Sequence, residues 1–240
     1  MSFWADSKPS MRKTWSQLIF RRPAVPGWAS LVAGGKARGW EFRLTHEHDG
    51  FALEPAEAAN PWRLEWGPSQ RRYLGPHELR LRGETGIDPM THAVLMPRGL
   101  MTALEHDIYQ QFTEGVMTRL DEQTPEEVRW LAMSERLKPS EMGPLNAQFA
   151  AVSNVADWMA GWLQSALAPA LLAWSGEVAG DSAPAVPATT PVPMSLVMRR
   201  GQLVLRMSMP KPDLAQVTAA IALYEVALSE ARRWSEAPPA

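Results

Sequence analysis

Between Trp40 and Arg82 the apolar residues recur at every second position, and this alternation constrains the fold more than any other feature of the chain. A period of two places successive side chains on opposite faces of a β-strand, so each segment is predicted to bury one face and expose the other. Gly-Pro and Asp-Gly pairs, which are typical of turns, separate the segments. The sequence therefore predicts four strands in an antiparallel meander, with the first hairpin turn at Asp49-Gly50.

Downstream of Pro97 the apolar residues follow a helical period instead. Apolar residues at every fourth position between residues 100 and 120 predict a helix with one face on the core. Thr124 precedes a proline and two glutamates, which predicts the start of a second helix closed by a capping box. A third helix is predicted over residues 146–174, with a kink at Pro169.

These patterns predict five parts of the chain: a basic N-terminal arm at 1–26, a β-rich part at 27–97, a helical part at 98–176, a loop rich in proline and alanine at 177–193, and a ββα unit at 194–240. A lone hairpin and helix bury little core, so the ββα unit is predicted to pack with residues 27–97 as one domain. It either completes the sheet that begins at Trp40 or forms a second sheet of similar design. The predicted fold class is α+β, with antiparallel sheet packed on one face by helices.

Composition and charge exclude several classes of protein. With 240 residues, 45% of them hydrophobic and 21% charged, the chain is long and apolar enough to bury a sizeable core. It contains no cysteine, which excludes disulfides, thiolate metal sites, iron–sulfur clusters and cysteine nucleophiles. A net charge of −2 disfavours a protein coated in nucleic acid.

No segment predicts export, a membrane span or a common cofactor. The N-terminal residues lack the apolar stretch of a signal peptide, so a cytoplasmic location is predicted. The longest uncharged run, residues 158–176, has helical periodicity and is predicted to be a buried helix. Neither a glycine-rich nucleotide motif nor a serine or zinc hydrolase motif occurs, so no cofactor and no catalytic residue is predicted.

His46, His48 and Asp49 form a candidate metal site at the first predicted turn. Two histidines two positions apart share one face of a strand, and imidazoles placed in this way bind zinc or another divalent cation. This arrangement supports a metal-dependent hydrolase. The alternative is that the two histidines continue the apolar face of the first strand and cap the end of the core half-buried.

An arginine-rich segment supplies a second candidate site. Arg80 and Arg82 are predicted to face solvent, because the leucines that alternate with them face the core. The full candidate surface, which we call the arginine face, comprises Arg63, Arg71, Arg72, Arg80 and Arg82. Guanidinium groups gathered on one face suit carboxylate or phosphate ligands. The alternative is a solvated strand face on which nearby glutamates neutralise the arginines.

The predicted basic arm offers two further contact residues, Trp4 and Trp15, whose rings could anchor another protein. With no catalytic signature, the sequence predicts a non-enzymatic protein-interaction module, that is, an adaptor, a chaperone-like protein or a regulatory protein. Its partner is predicted to be a protein of unknown identity, and no oligomeric state is predicted. Two alternatives stay open: a metal-dependent hydrolase that uses His46 and His48, and a phosphate or nucleic-acid binder that uses the arginine face.

Overall fold

A computed structural model describes residues 28–47, 49–57, 61–113, 124–177 and 192–236 of the chain. Several predicted features lie outside the described residues. These are the basic arm with Trp4 and Trp15, His48, and residues 178–191 of the predicted loop.

The described residues form eight strands and seven α-helices. The strands are β1 (Trp40–Leu44), β2 (Phe51–Pro55), β3 (Arg63–Pro68), β4 (His77–Glu84), β5 (Ala93–Pro97), β6 (Phe149–Ser153), β7 (Met194–Arg199) and β8 (Gln202–Ser208). The helices are α1 (Ala29–Ala37), α2 (Arg98–Thr113), α3 (Glu126–Met133), α4 (Pro139–Met142), α5 (Ala156–Leu163), α6 (Leu167–Glu177) and α7 (Leu214–Glu236).

All eight strands belong to one sheet with the order β1-β2-β3-β4-β8-β7-β5-β6, and every pairing is antiparallel. The α+β class is therefore confirmed. β8 pairs with β4, so the C-terminal strands continue the sheet that begins at Trp40. The last described elements are β7, β8 and α7, that is, two strands followed by a helix.

The main helical layer covers one face of this sheet. Leucines of the central strands point into that layer, where they form a single core with α1, α5, α6 and α7. α7 is long and apolar enough by length and composition to cross a membrane, but its apolar side packs in this core. The Tyr224 hydroxyl of α7 donates a hydrogen bond of 2.7 Å to the Leu203 carbonyl, which ties the helix to β8.

A second, smaller apolar cluster lies on the other face of the sheet, over β5, β6 and β7. Val94 and Met96 of β5 pack there with Met101 of α2 and Leu131 of α3. The helices therefore cover one face along the sheet, as predicted, and α2 and α3 add a partial layer on the opposite face. Strands β1 to β4 present a polar surface on that opposite face.

The sequence did not predict β5 and β6, and burial explains the omission. Both strands are buried on both faces, with the sequences AVLMP and FAAVS, so neither alternates between apolar and polar residues. Residues 146–174 were predicted as one kinked helix, and this prediction was wrong. That stretch holds β6, α5 and α6, and Pro169 lies in the first turn of α6.

The first hairpin is wider than the predicted two-residue turn. Leu44 pairs with Phe51, so residues 45–50 form the loop. The Gly50 amide donates a hydrogen bond of 3.0 Å to Thr45 Oγ1, which closes the loop before the predicted turn. A Cβ atom at Gly50 would lie 2.2 Å from the Trp66 carbonyl oxygen, so only glycine fits at this position.

Candidate functional site

The arginine face occupies the polar side of β3 and β4. Arg63 lies opposite Arg82, and Glu65 lies opposite Arg80. Leu81 of β4 is buried in the core, while the arginines on either side of it point away from the core. The alternation in sequence thus correctly assigned the two faces of β4, but it did not indicate which charges would meet.

Glu65 lies at the centre of the arginine face. Arg63 Nε donates to its carboxylate at 2.7 Å, Arg80 also donates to it, and an Arg82 nitrogen lies at 3.6 Å. Partial burial would raise the pKa of Glu65, but the hydrogen bonds from Arg80 and Arg63 outweigh burial and lower the pKa to about 2. Glu65 therefore bridges three arginines, and Glu54, which accepts a hydrogen bond of 2.6 Å from Arg63, supplies a second negative charge on this surface.

Arg71 belongs to the interior of the molecule. It donates through Nε and Nη2 to Glu127 of α3, and the Nη2 bond is 3.2 Å long. The Tyr73 hydroxyl donates to Glu127 at 2.9 Å and lies 3.3 Å from Ser195 Oγ. Burial would raise the pKa of Glu127, but Arg71 outweighs it and holds that pKa below its ordinary value. Arg72 is exposed and has no carboxylate partner within the described ranges.

A second buried ion pair continues this network. Arg206 of β8 donates to Glu78 of β4, and both side chains are almost fully buried. Burial lowers the pKa of Arg206, and Glu78 opposes that effect. Gln70 and Ser69 bond to the same pair, so the loop before β4 closes over it. Apart from Arg72, the arginine face is thus part of a paired network that fixes a loop and α3 to the sheet.

The candidate metal site is not assembled by its described residues. His46 and Asp49 are exposed in the β1–β2 loop, and the Asp49 carboxylate accepts a hydrogen bond of 2.9 Å from Thr45 Oγ1. No group of three or more histidine, cysteine, aspartate or glutamate residues in the described part of the chain is placed to hold a metal ion. Since His48 lies outside that part, the metal site stays a prediction. The predicted half-burial of His46 was wrong, because β1 ends before it.

A cavity of about 650 Å³ lies at the other end of the molecule, between the end of α3, the β5–β6 edge of the sheet and the start of α5. We call it the His92 cavity. His92 precedes β5, Trp130 and Met133 belong to α3, and Asn154 precedes α5; all four line the cavity. None of them was a predicted site residue.

His92 is held in one orientation by three neighbours. Its ring stacks on Trp130 with 4.8 Å between centroids, and its Nε2 lies 2.9 Å from Ser134 Oγ. Its backbone amide donates a bond of 2.8 Å to Asn154 Oδ1. Burial lowers the pKa of His92, and a backbone hydrogen bond at Met90 opposes this only in part, so the environment favours the neutral form of the ring.

A neutral histidine beside a serine hydroxyl can act as a base in acyl transfer. Such pairs are usually oriented by a carboxylate bonded to the second ring nitrogen. No carboxylate among the described residues is hydrogen-bonded to the His92 ring. The geometry therefore resembles a polar contact that fixes His92 more than a catalytic triad.

The charged groups of the His92 cavity are only partly paired. Glu126 accepts hydrogen bonds from Arg199 at 3.0 Å and from Arg200 at 2.6 Å, and Arg136 is paired with Glu105. Arg129 and Glu135 also line the cavity, and neither has an ion-pair partner in the part of the chain that the structure describes. Lys138 and Glu141 line the cavity as well and form an ion pair of 4.0 Å, so Arg129 and Glu135 are the lining charges without an ion-pair partner among the described residues.

An exposed apolar side chain lines the same cavity. Met133 is 78% exposed and belongs to its lining, together with the stacked rings of His92 and Trp130. Two further exposed hydrophobic residues adjoin residues of the lining. The Met90 carbonyl accepts a hydrogen bond from Asn154, and Val155 lies between Asn154 and Ala156 in the chain.

The chain matches no protein-family model, and it matches no curated protein. The function proposed below therefore depends on the geometry of the site alone.

Proposed function

We propose that this protein is a non-enzymatic interaction module that binds a segment of another protein at the His92 cavity. The observation that carries the proposal is an exposed methionine, Met133, in the lining of one concave site, with the exposed Met90 and Val155 next to residues of that lining. Scattered exposed hydrophobic residues are common on proteins, but apolar residues gathered at a cavity with a polar surround mark binding sites. An adaptor, a chaperone-like protein and a regulatory protein all require such a site.

The residues that line the cavity indicate the chemistry of its ligand. Methionine side chains are unbranched and adapt to apolar partners of different shapes. The stacked rings of His92 and Trp130 give the cavity a flat aromatic surface. We therefore expect a ligand segment with an aliphatic or aromatic anchor residue that inserts beside Met133.

The charges of the cavity restrict the ligand further. Arg129 is available to a carboxylate of the ligand, while Glu135 disfavours a strongly acidic segment. This mixed character supports a peptide with an apolar anchor and one acidic neighbour over a phosphate-rich ligand. The arginine face supports the same conclusion, because Glu65, Glu78 and Glu127 already pair its arginines or their neighbours.

A displayed random peptide library provides a direct test. The full chain is panned against the library, and selected peptides are titrated while the methionine methyl resonances are followed by NMR. Leucine substitutions at Met90 and Met133 assign the two signals. We expect peptides with one apolar anchor, and we expect the largest shifts at these two methyl groups. A consensus without an apolar residue would contradict the proposal.

Matched substitutions separate the cavity from other exposed apolar positions. Met133→Glu should weaken peptide binding by about tenfold or more, because it places a charge at the anchor. Tyr109→Glu is the control, since Tyr109 is 67% exposed on α2 and does not line the cavity. Equal effects of the two variants would overturn the assignment of the site.

Ester hydrolysis tests the rival catalytic role of Ser134. The wild-type chain, Ser134→Ala and His92→Ala are compared with an activated acetyl ester as substrate. We expect hydrolysis at the background rate in all three cases, since no carboxylate among the described residues is hydrogen-bonded to the His92 ring. Hydrolysis that both substitutions abolish would show an acyl-transfer enzyme and would overturn the non-enzymatic proposal.

A further inference from the structure

β1 leaves half of its backbone hydrogen-bonding groups open at the edge of the sheet. The Thr45 amide donates a hydrogen bond of 3.0 Å to the Gly50 carbonyl. Along an antiparallel ladder, residue pairs that are hydrogen-bonded to each other alternate with pairs that are not. In the observed register the backbone groups of Trp40, Phe42 and Leu44 therefore point away from β2. The described residues supply no further strand beyond β1.

The opposite edge of the sheet is covered. Arg136 forms a β-bridge with Val152 of β6, and the Leu137 amide donates 2.9 Å to the Ala151 carbonyl. The short segment around Arg136 therefore blocks the β6 edge. Within the described part of the sheet, β1 is the one edge that can accept another strand.

The sequence of β1, Trp-Glu-Phe-Arg-Leu, is complementary to itself in antiparallel orientation. When two copies pair about a two-fold axis at Phe42, Glu41 of one copy lies opposite Arg43 of the other, and the same pair recurs on the other side of the axis. Trp40 lies opposite Leu44, and Phe42 lies opposite Phe42. This register uses the open backbone groups, which belong to the same three apolar residues.

We propose that β1 is the dimerisation edge of this protein and that its partner is a second copy of the same chain, paired antiparallel about Phe42. An interface with a two-fold axis requires that each contact between residues i and j recur as j and i. The Glu41–Arg43 pair satisfies this condition, and opposite charges across strands stabilise a pairing while like charges disfavour it. A strand of unrelated sequence would not in general carry the opposite charges at the matching positions.

The side chains of β1 are available for this contact. Arg43 and Glu41 are 63% and 53% exposed and form an ion pair of 2.7 Å within one copy. Exposed pairs of this kind contribute little to stability, so exchange of partners across the two-fold axis costs little. Trp40, Phe42 and Leu44 are half-buried, and their remaining exposed surface would be covered by the second copy.

The dimer leaves the His92 cavity free, because β1 and β6 are opposite edges of the sheet. Pairing at β1 joins the two sheets into one and places the two cavities at its outer ends. A dimer would therefore be bivalent for the ligands of that cavity. The proposal for β1 does not depend on the proposed function, because no residue of the cavity takes part in the contact.

Charge reversal and complementation test the proposal on the full chain. Sedimentation equilibrium is measured from about 1 to about 200 µM, and native mass spectrometry identifies each species. We expect a wild-type dimer that dissociates on dilution. Glu41→Arg and Arg43→Glu should each raise the dimer dissociation constant by about tenfold or more, because each places like charges opposite each other.

Recovery of binding distinguishes lost complementarity from misfolding. A mixture of the Glu41→Arg and Arg43→Glu chains should form a heterodimer, since every charge then meets its opposite. The double variant Glu41→Arg/Arg43→Glu should regain the wild-type dissociation constant. Tyr109→Glu is the control and should leave it unchanged.

Several outcomes would overturn the proposal. One is a wild-type chain that is monomeric at the highest concentration. A second is single variants that dimerise like the wild type, and a third is a mixture that contains no heterodimer. Slow hydrogen exchange at the Trp40, Phe42 and Leu44 amides of a monomeric chain would show that another segment of the same chain occupies the edge.

Discussion

The arginine face and the His92 cavity both gather acidic and basic side chains, but they differ in how far these charges are paired. On the arginine face, Glu65 interacts with Arg63, Arg80 and Arg82, and Glu54 forms a second ion pair with Arg63. In the His92 cavity, Arg129 and Glu135 lack partners among the described residues. A high density of charge in the sequence therefore does not imply charge that is free for a ligand, and the unpaired Arg129 and Glu135 support the site proposed at the cavity.

The two regions also differ in the role of their apolar side chains. Beside the arginine face, Tyr73 packs in the smaller apolar cluster and its hydroxyl bonds to Glu127. In the lining of the cavity, Met133 is exposed. If the proposed function is right, substitutions should affect unfolding in the first region and binding in the second.

The largest effect on stability is expected for Glu127→Ala. This substitution leaves the mostly buried Arg71 and the Tyr73 hydroxyl without their acceptor. Removal of one partner from a buried ion pair typically costs about 3–5 kcal/mol. We expect a loss of this size in the free energy of unfolding, measured by urea denaturation.

Arg72→Ala is the matched control for this prediction, since Arg72 is exposed in the same loop. It should change the free energy of unfolding by less than about 0.5 kcal/mol. The double variant Arg71→Met/Glu127→Leu should recover part of the loss, because no buried charge is then left unpaired. A loss below about 1 kcal/mol in Glu127→Ala would contradict the structural role of this pair.

A smaller effect is expected on acidification. Glu65 has a pKa of about 2 in the folded chain against an ordinary value of 4.5. Because the folded value is the lower one, the stability that Glu65 contributes is complete above pH 4.5 and is lost as the pH falls toward 2. The pKa of Glu127 is lowered too, so its contribution is lost in the same direction.

For Glu65 we expect a loss of about 1–2 kcal/mol between pH 6 and pH 3, after allowance for partial exposure. Urea denaturation at several pH values measures it. In Glu65→Gln the free energy of unfolding should be lower at pH 6 and should fall less steeply with acidification. Parallel curves for the variant and the wild type would exclude Glu65 as a source of the pH dependence.

Strands with one solvent-facing side could be predicted from their alternation, and β5 and β6 could not. β3 and β4 alternate because one side packs in the core and the other carries the arginine face. β5 and β6 are buried on both sides, and their sequences are short apolar runs. β7 and β8 are also buried nearly throughout, but they were predicted as the hairpin of the ββα unit.

The candidate site could not be predicted because its contacts join distant parts of the chain. His92 and Ser134 are separated by 42 positions, and Arg71 and Glu127 by 56. No local pattern connects the members of these pairs. Glu127 was predicted to close a capping box at the start of a helix, but its carboxylate bonds to Arg71 and Tyr73 instead. The sequence suggested that glutamates close to the arginines along the chain would pair with them. It gave no sign that the distant, buried Glu127 would be a partner of Arg71.

The smallest effect on stability is expected for Met133→Glu, and this small effect is what distinguishes a contact surface from a core. Met133 is 78% exposed, so folding removes little of its side chain from water and the substitution should change the free energy of unfolding by less than about 0.5 kcal/mol. Met142, by contrast, is 1% exposed, and Met142→Ala should cost about 2–5 kcal/mol. If Met133→Glu destabilises the chain by more than about 1 kcal/mol, then Met133 packs against other residues and the cavity is closed by the protein itself. If it leaves stability unchanged and still weakens peptide binding tenfold, the exposed methionine is retained for contact with a ligand and not for the fold.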